Sequence, residues 1–433
     1  MKTRIGILIV FTLFACCFTR GIMADDHLQI GWAKADLTPE EPVAMRGGIK
    51  STGVMDPITA TVLILDSGDV DESGDVVLIS CDLQHITDGN RYEADMLGNV
   101  RRFLKASLPE VNSKRVIMMA THTHVAPSVQ SDPQYDLFAS KRIAEAVQRA
   151  SQNKKPGGIS YGLGHAVAGH HRIATYKDGS SHMSGSFQSG STGNQNFSHL
   201  EGFEDHSVHL LYTWDTEKNL TGVLINVACP AQVQRGDQLS ADYWHEVREE
   251  LKKSLGPEVF ILPQLSAAGD IATTVMVEKK AERRMMKLRF PQIEDARTAR
   301  RKQIAVRVSA AVTSILPYVK DSIETNPYVA HEMVKVDLPR GFPKRDTNAP
   351  PFPIEIHALR VGDIGMVTNP FELYLDYGIR IKGRSPAIQT FVVQLAGSAS
   401  YLPTEKAVQA GGYGAIPKTC VVGPAAGDKI VEE

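Results

Sequence analysis

The chain has 433 residues, 42% of them apolar, which is enough for a substantial core in one large domain or two ordinary ones. Its 47 basic and 49 acidic residues leave a net charge of −2. That balance excludes the basic field nucleic-acid binding requires and leaves a small molecule or a lipid as the partner class.

In chain order, the first segment reads as an export signal. Lys2 and Arg4 precede an apolar run from Ile5 to Phe18, and Gly21 to Ala24 precede the acidic pair Asp25 and Asp26. Residues 1–24 are therefore expected to be removed, giving a periplasmic or extracellular protein. The run falls short of the roughly 20 apolar residues of a membrane span. Leu13-Phe-Ala-Cys16 loosely resembles a bacterial lipobox, so a lipid-anchored form is the alternative. Beyond the signal only Cys81, Cys229 and Cys420 remain, an odd and widely spaced set that is no disulfide framework.

Strand-like apolar runs then alternate with helical stretches, which predicts an α/β architecture. Expected strands cover residues 60–66, 76–81, 115–120, 222–227, 259–263, 364–367 and 390–395. Expected helices cover 91–108, 139–152, 242–255, 293–316 and 371–381. The Ser- and Gly-rich segment Gly179–Gln195 and the proline-rich segment Pro339–Pro353 read as loops over a cleft.

Four strand ends carry the chemistry. Residues 115–120 run into Thr121-His-Thr-His124; in an extended chain residues two apart point to one side, so His122 and His124 can reach one spot, as a metal or acid/base site needs. Residues 259–265 deliver Ser266 on the small-residue turn Ser266-Ala-Ala-Gly-Asp270, where Ser266 is either a helix N-cap or a group a substrate can approach. The turn lacks the Gly-x-Ser-x-Gly spacing of a serine-hydrolase elbow. After residues 364–368, Asn369-Pro-Phe-Glu372 has the spacing of an N-cap and capping box, which by itself explains Glu372 without a metal. Tyr401 follows residues 390–395 in a Gly/Ser-rich loop before Pro403, a place where an isolated tyrosine usually packs.

Together these segments resemble, in order, the motifs of the neutral/alkaline ceramidase family, from about Ile30 to Ala415. The resemblance implies a single large domain over residues 25–433 with a mixed sheet core and flanking helices, lacking that family's C-terminal immunoglobulin-like domain. It implies one zinc ion per chain, held by His122, Glu372 and Tyr401. Ser266 would stand where the catalytic serine does, with His124 and Arg172 facing the substrate. Weaker matches are Met55-Asp-Pro57, Ile79-Ser-Cys-Asp82 and His171-Arg172. The family's second zinc histidine has no counterpart, because the chain reads Asn226-Val-Ala-Cys-Pro230. Cys229 as a thiolate or His245 could replace it, or the metal site is degraded. The implied activity is hydrolysis of a linear amide bond in an N-acyl, ceramide-like lipid by metal-activated water, with membrane-surface association as an option. The alternatives are a non-catalytic secreted binding module and a metal hydrolase for another ester or amide.

Overall fold

A computed structural model describes residues 27–67, 75–183, 194–340 and 350–433. The export signal of residues 1–24 lies outside the described residues. The centre is an eight-stranded mixed sheet. From one edge to the other its strands are Phe260–Leu265, Leu220–Val227, Ser207–Asp215, Lys155–His165, Leu28–Asp36, Thr59–Asp66, Val76–Cys81 and Val116–Ala120. The pair at each edge is parallel and the inner pairs are antiparallel.

Both faces of this sheet are covered, which is why its strands read as unbroken apolar runs rather than alternating ones. Val62, Ile64, Val77 and Ile79 face a cluster built with helices Met96–Ser107 and Pro133–Gln152. Further along the same side, Leu210, Tyr212, Val223 and Ile225 face helices Tyr243–Leu255 and Ala296–Val319. The intervening residues Leu63, Leu65, Leu78, Leu211 and Leu224 point to the other face. There they meet Leu359, Ile364, Phe391 and Val393 of a second sheet, formed by Val329–Leu338, Phe352–Val361, Ile364–Thr368 and Gln389–Val393. The α/β expectation of a mixed sheet with flanking helices is met.

Two expected loops are partly strand. Ser181–Met183 pairs with Ile173–Tyr176, and Phe352 opposite Leu338 opens a ten-residue antiparallel ladder. Backbone pairing satisfies more polar groups there than composition suggests; residues 184–193 and 341–349 lie outside the described residues.

The segment after Gln389–Val393 ties the two sheet edges together. Gln394 N donates to Leu265 O at 3.0 Å, and Ala120 N donates to Leu395 O at 3.3 Å. The carboxyl ends of the two edge strands, one leading to His122 and the other to Ser266, are thereby brought to one place. Cys81, Cys229 and Cys420 are all free and buried. Among the described residues no helix is long and apolar enough to cross a membrane.

Candidate functional site

The strand Val116–Ala120 ends before the histidines, so the strand alternation that predicted their convergence does not apply. His122 instead sits in the left-handed region at φ 68°, a conformation that costs a non-glycine residue on the order of 1 kcal/mol or more. Two contacts hold it there. Its backbone N donates to Leu83 O at 2.9 Å, and its Nδ1 lies 2.6 Å from Gln84 O. A carbonyl only accepts, so Nδ1 carries the proton and Nε2 is left to face the Glu372 carboxylate, 3.3 Å away. A proton or a cation has to sit between them.

The turn that supplies both carbonyls is itself anchored by Asp82. Its buried carboxylate accepts from Thr59 N and Oγ1, each at 2.9 Å, and takes a two-pronged pair from Arg248 at 2.8 and 3.0 Å. Asp56 plays the same part elsewhere, accepting from Ser240 Oγ, Ala241 N and Arg301. Two of the weaker motif matches, those bearing Asp56 and Asp82, thus hold the site's frame.

Glu372 is no helix residue. Asn369 Oδ1 accepts from Phe371 N at 3.0 Å, but the chain then forms the two-residue strand Glu372–Leu373, and the helix spans Leu375–Arg384. The capping-box reading of the spacing is therefore overturned. That short strand pairs in parallel with Tyr401–Leu402, with Glu372 opposite Tyr401. The Ser266–Asp270 turn packs against it: Gly269 N donates to Leu373 O at 2.7 Å, and Gln394 Oε1 accepts from both Ala268 N and Leu373 N at 3.0 Å. No helix starts at Ser266. Its hydroxyl is buried without a protein partner among the described residues, so it caps nothing.

Arg172 closes the constellation, with Nη2 donating to Gly269 O at 2.9 Å and to the Tyr401 hydroxyl at 3.2 Å. Burial by itself would raise the Glu372 carboxyl. His122, Arg172 and the hydrogen bonds from His122 and Tyr401 outweigh it and hold the group at about 2. Burial and the Glu372 charge push the Tyr401 phenol up, so it stays protonated.

His124 Nε2 is 3.4 Å from His122 Nε2, while Arg46 Nη1 lies 2.9 Å from His124 Nδ1. An arginine only donates, so His124 accepts at Nδ1 and carries its proton on Nε2. Burial, then His122 and the charges of Arg46, Arg235 and Arg172, keep its pKa well below the usual value.

Two residues do not join this group. Cys229 belongs to the apolar cluster with Tyr243 and Trp244, and burial drives its thiol far above the usual range. His245 lies on the helix Tyr243–Leu255, where its charged neighbours are Asp56, Arg301, Glu249 and Arg248. The Cys229 thiol lies in the core, which counts against it as the replacement ligand. Sequence reasoning passed over Arg46, Arg235, Gln84 and Gln394, for none of which a local motif exists.

Among the described residues no group of three or more His, Cys, Asp or Glu side chains could by itself hold a metal. The centre fits a zinc ion through a mixed set instead. Nitrogen and oxygen ligands of a tetrahedral zinc lie about 3.3–3.6 Å from one another, and His122 Nε2 and Glu372 Oε2 are 3.3 Å apart. With the Tyr401 hydroxyl on Glu372, three donors meet, the number a catalytic zinc takes from protein.

Solved structures share this fold. Neutral ceramidase from Pseudomonas aeruginosa matches with a TM-score of 0.72 at 17% identity, over 94% of this chain and 73% of that one. A ceramidase complexed with C2 also gives 0.72, at 15% identity, over 94% and 74%. No family model matches the sequence, and no curated protein does.

Proposed function

We propose that this chain, which has the fold of the neutral ceramidases, is a divergent member of that family: an exported, zinc-dependent hydrolase of N-acyl amides. The observation that carries the reading is the meeting of His122 Nε2, Glu372 and Tyr401, with the His122 tautomer set by Gln84 O. His122, Glu372 and Tyr401 would hold the zinc. When bound, it lowers the pKa of a water towards about 7 and polarises the amide carbonyl.

The other residues supply what such a hydrolysis needs. Arg172, its Nε without a protein partner among the described residues, offers a donor to the oxyanion that develops at the carbonyl. His124 presents a neutral imidazole with Nε2–H towards the same point, able to donate a hydrogen bond to that oxygen. Ser266 adds a buried hydroxyl at the end of the other edge strand. The missing second histidine favours one other reading, a binding module on a degraded hydrolase scaffold; it predicts binding without turnover.

Metal content tests the reading. The purified protein should carry about one zinc per chain, and His122→Ala should lose it along with turnover of a fluorogenic N-acyl substrate. Absence of bound metal after expression with zinc would sink the mechanism. N-terminal sequencing of exported protein should start near Asp25; an intact Met1 would refute export.

A further inference from the structure

The rim of the site carries positive charge that a neutral ceramide does not call for. Two loops form it. The Ala44–Lys50 hairpin, which bears Arg46, is bridged to the histidine segment by Met45 opposite Pro127 and by Ser128 N on Ala44 O at 2.8 Å. The loop after Pro230, which bears Arg235, is held to the same segment by Ala231 N on Thr121 O at 3.2 Å and Ser240 N on Val125 O at 3.0 Å. The two are also joined to each other. Thr52 N donates to Asp237 O at 2.9 Å, and Gln238–Leu239 pairs in parallel with Gly53–Val54. Met45, Val125 and Leu239 bury a small apolar cluster beneath them. Arg46 and Arg235 thus lie on one braced rim, and Arg172, next to the strand His170–His171 that pairs with Ile271–Ala272, reaches the Tyr401 hydroxyl.

Among the described residues none of these three arginines has a carboxylate within ion-pairing distance. The nearby acids are engaged elsewhere: Asp242 accepts from Gln234 N at 2.6 Å and Tyr243 N at 2.7 Å, and Glu372 faces His122. Desolvation and the guanidinium groups of Arg46, Arg297 and Arg172 hold Arg235 below the usual arginine range. Like charges gathered at one rim repel until an anion arrives, and planar guanidinium forks suit carboxylate and phosphate.

Resting on the amidohydrolase reading above, we infer that the substrate is an N-acyl amide bearing an oxyanion near the scissile bond, gripped by Arg46 and Arg235. Arg46 reaches His124 and His124 reaches His122, so the anion lies two hydrogen bonds from the reacting centre. That places it on the amine side, as in an N-acyl amino acid, rather than at the far end of an acyl chain. Hydrolysis then adds the oxygen of water to the carbonyl carbon and breaks the C–N bond. A proton from that water passes to the departing amine, leaving a fatty acid and a free amino acid.

The test compares N-dodecanoylglycine, N-dodecanoylethanolamine phosphate, neutral N-dodecanoylethanolamine and a short-chain ceramide on the zinc-loaded full chain. We expect kcat/KM for one of the anionic pair to exceed the neutral compounds at least about tenfold; which one wins tells carboxylate from phosphate. Arg235→Gln should cut the anionic-to-neutral ratio about tenfold or more, Arg235→Lys less, and added salt should erode it. Equal or better turnover of ceramide, with that ratio unchanged in Arg235→Gln, overturns the inference and leaves the hydrolase reading standing. If nothing turns over, calorimetry with N-dodecanoylglycine decides. Binding that falls about tenfold in Arg46→Gln and Arg235→Gln keeps the anion site while the hydrolase fails; absent binding, or equal binding in the variants, overturns the inference.

Discussion

Gly269→Ala is the sharpest probe of how the site is held. A Cβ at Gly269 would stand 2.4 Å from Glu372 O, 2.8 Å from Glu372 C and 3.0 Å from Leu373 C, where ordinary contact begins at 3.4 Å. All three are backbone atoms, so no side chain can swing aside, and the strand bearing Glu372 must retreat by about 1 Å. Overpacking of this kind costs about 1–3 kcal/mol of stability. A catalytic group misplaced by about 1 Å costs on the order of 100-fold in rate. Gly383→Ala is the internal control. It lies in the helix Leu375–Arg384 with nothing within 4 Å of the added carbon, so it should gain about 0.5–1 kcal/mol. Urea unfolding, zinc content and turnover of a fluorogenic N-acyl amide are measured on both. Gly269→Ala with wild-type stability, metal and rate would refute the claim that this turn positions Glu372.

Cys229→Ala should leave zinc content unchanged and cost about 1 kcal/mol for the lost sulfur; a loss of metal would reinstate the thiolate as a ligand. Asp82→Ala strands the buried Arg248 guanidinium and should cost about 3–5 kcal/mol in urea unfolding, so a variant within 1 kcal/mol of wild type would contradict the anchor role. Burial pushes the Glu246 carboxyl up to about 7 despite its pairing with Arg301. Between its ordinary 4.5 and about 7 the folded chain keeps a proton that the unfolded chain has released, so stability falls as pH rises through that window. Glu246→Gln should flatten that slope, and an unaltered slope would count against the assignment.

What the sequence made legible follows from burial. The runs at residues 60–66, 76–81 and 116–120 are covered on both faces, and their unbroken apolar character announces it. Lys155–His165 is absent from the expected strands, since four glycines weaken its strand signal; in place, Gly162 and Gly164 let the strand lie against Ile315 and Ala311 of the helix Ala296–Val319. At the site, the spacing at the strand end singles out His122, whereas Glu372 and Tyr401 become ligand candidates only through the resemblance. Local rules gave Glu372 a helix cap, because the spacing does not record that a parallel partner 29 positions on would draw it into a strand. Arg46 and Arg235 lie on loops whose meeting depends on a two-residue ladder, too short to leave a pattern.

The contacts that fix the site's groups make few demands on the side chains around them. His122 is positioned by the carbonyls of Leu83 and Gln84, Glu372 by Ser400 O, Tyr401 by Thr419 O, and the Ser266 turn by Val227 O. Carbonyls are present whatever the side chain, so most neighbours can change without moving a donor. The demands fall on a few positions: Gly269 for its missing Cβ, Asp82 for its grip on the turn, and Gln394 for bridging two strand ends with one oxygen. On the proposed reading, His122, Glu372, Tyr401 and a water would complete the coordination of a zinc ion, so no histidine is required at residue 229 or 230. On that reading the frame needs only those few positions, and Arg46 and Arg235, which lie on loops outside it, would set the substrate.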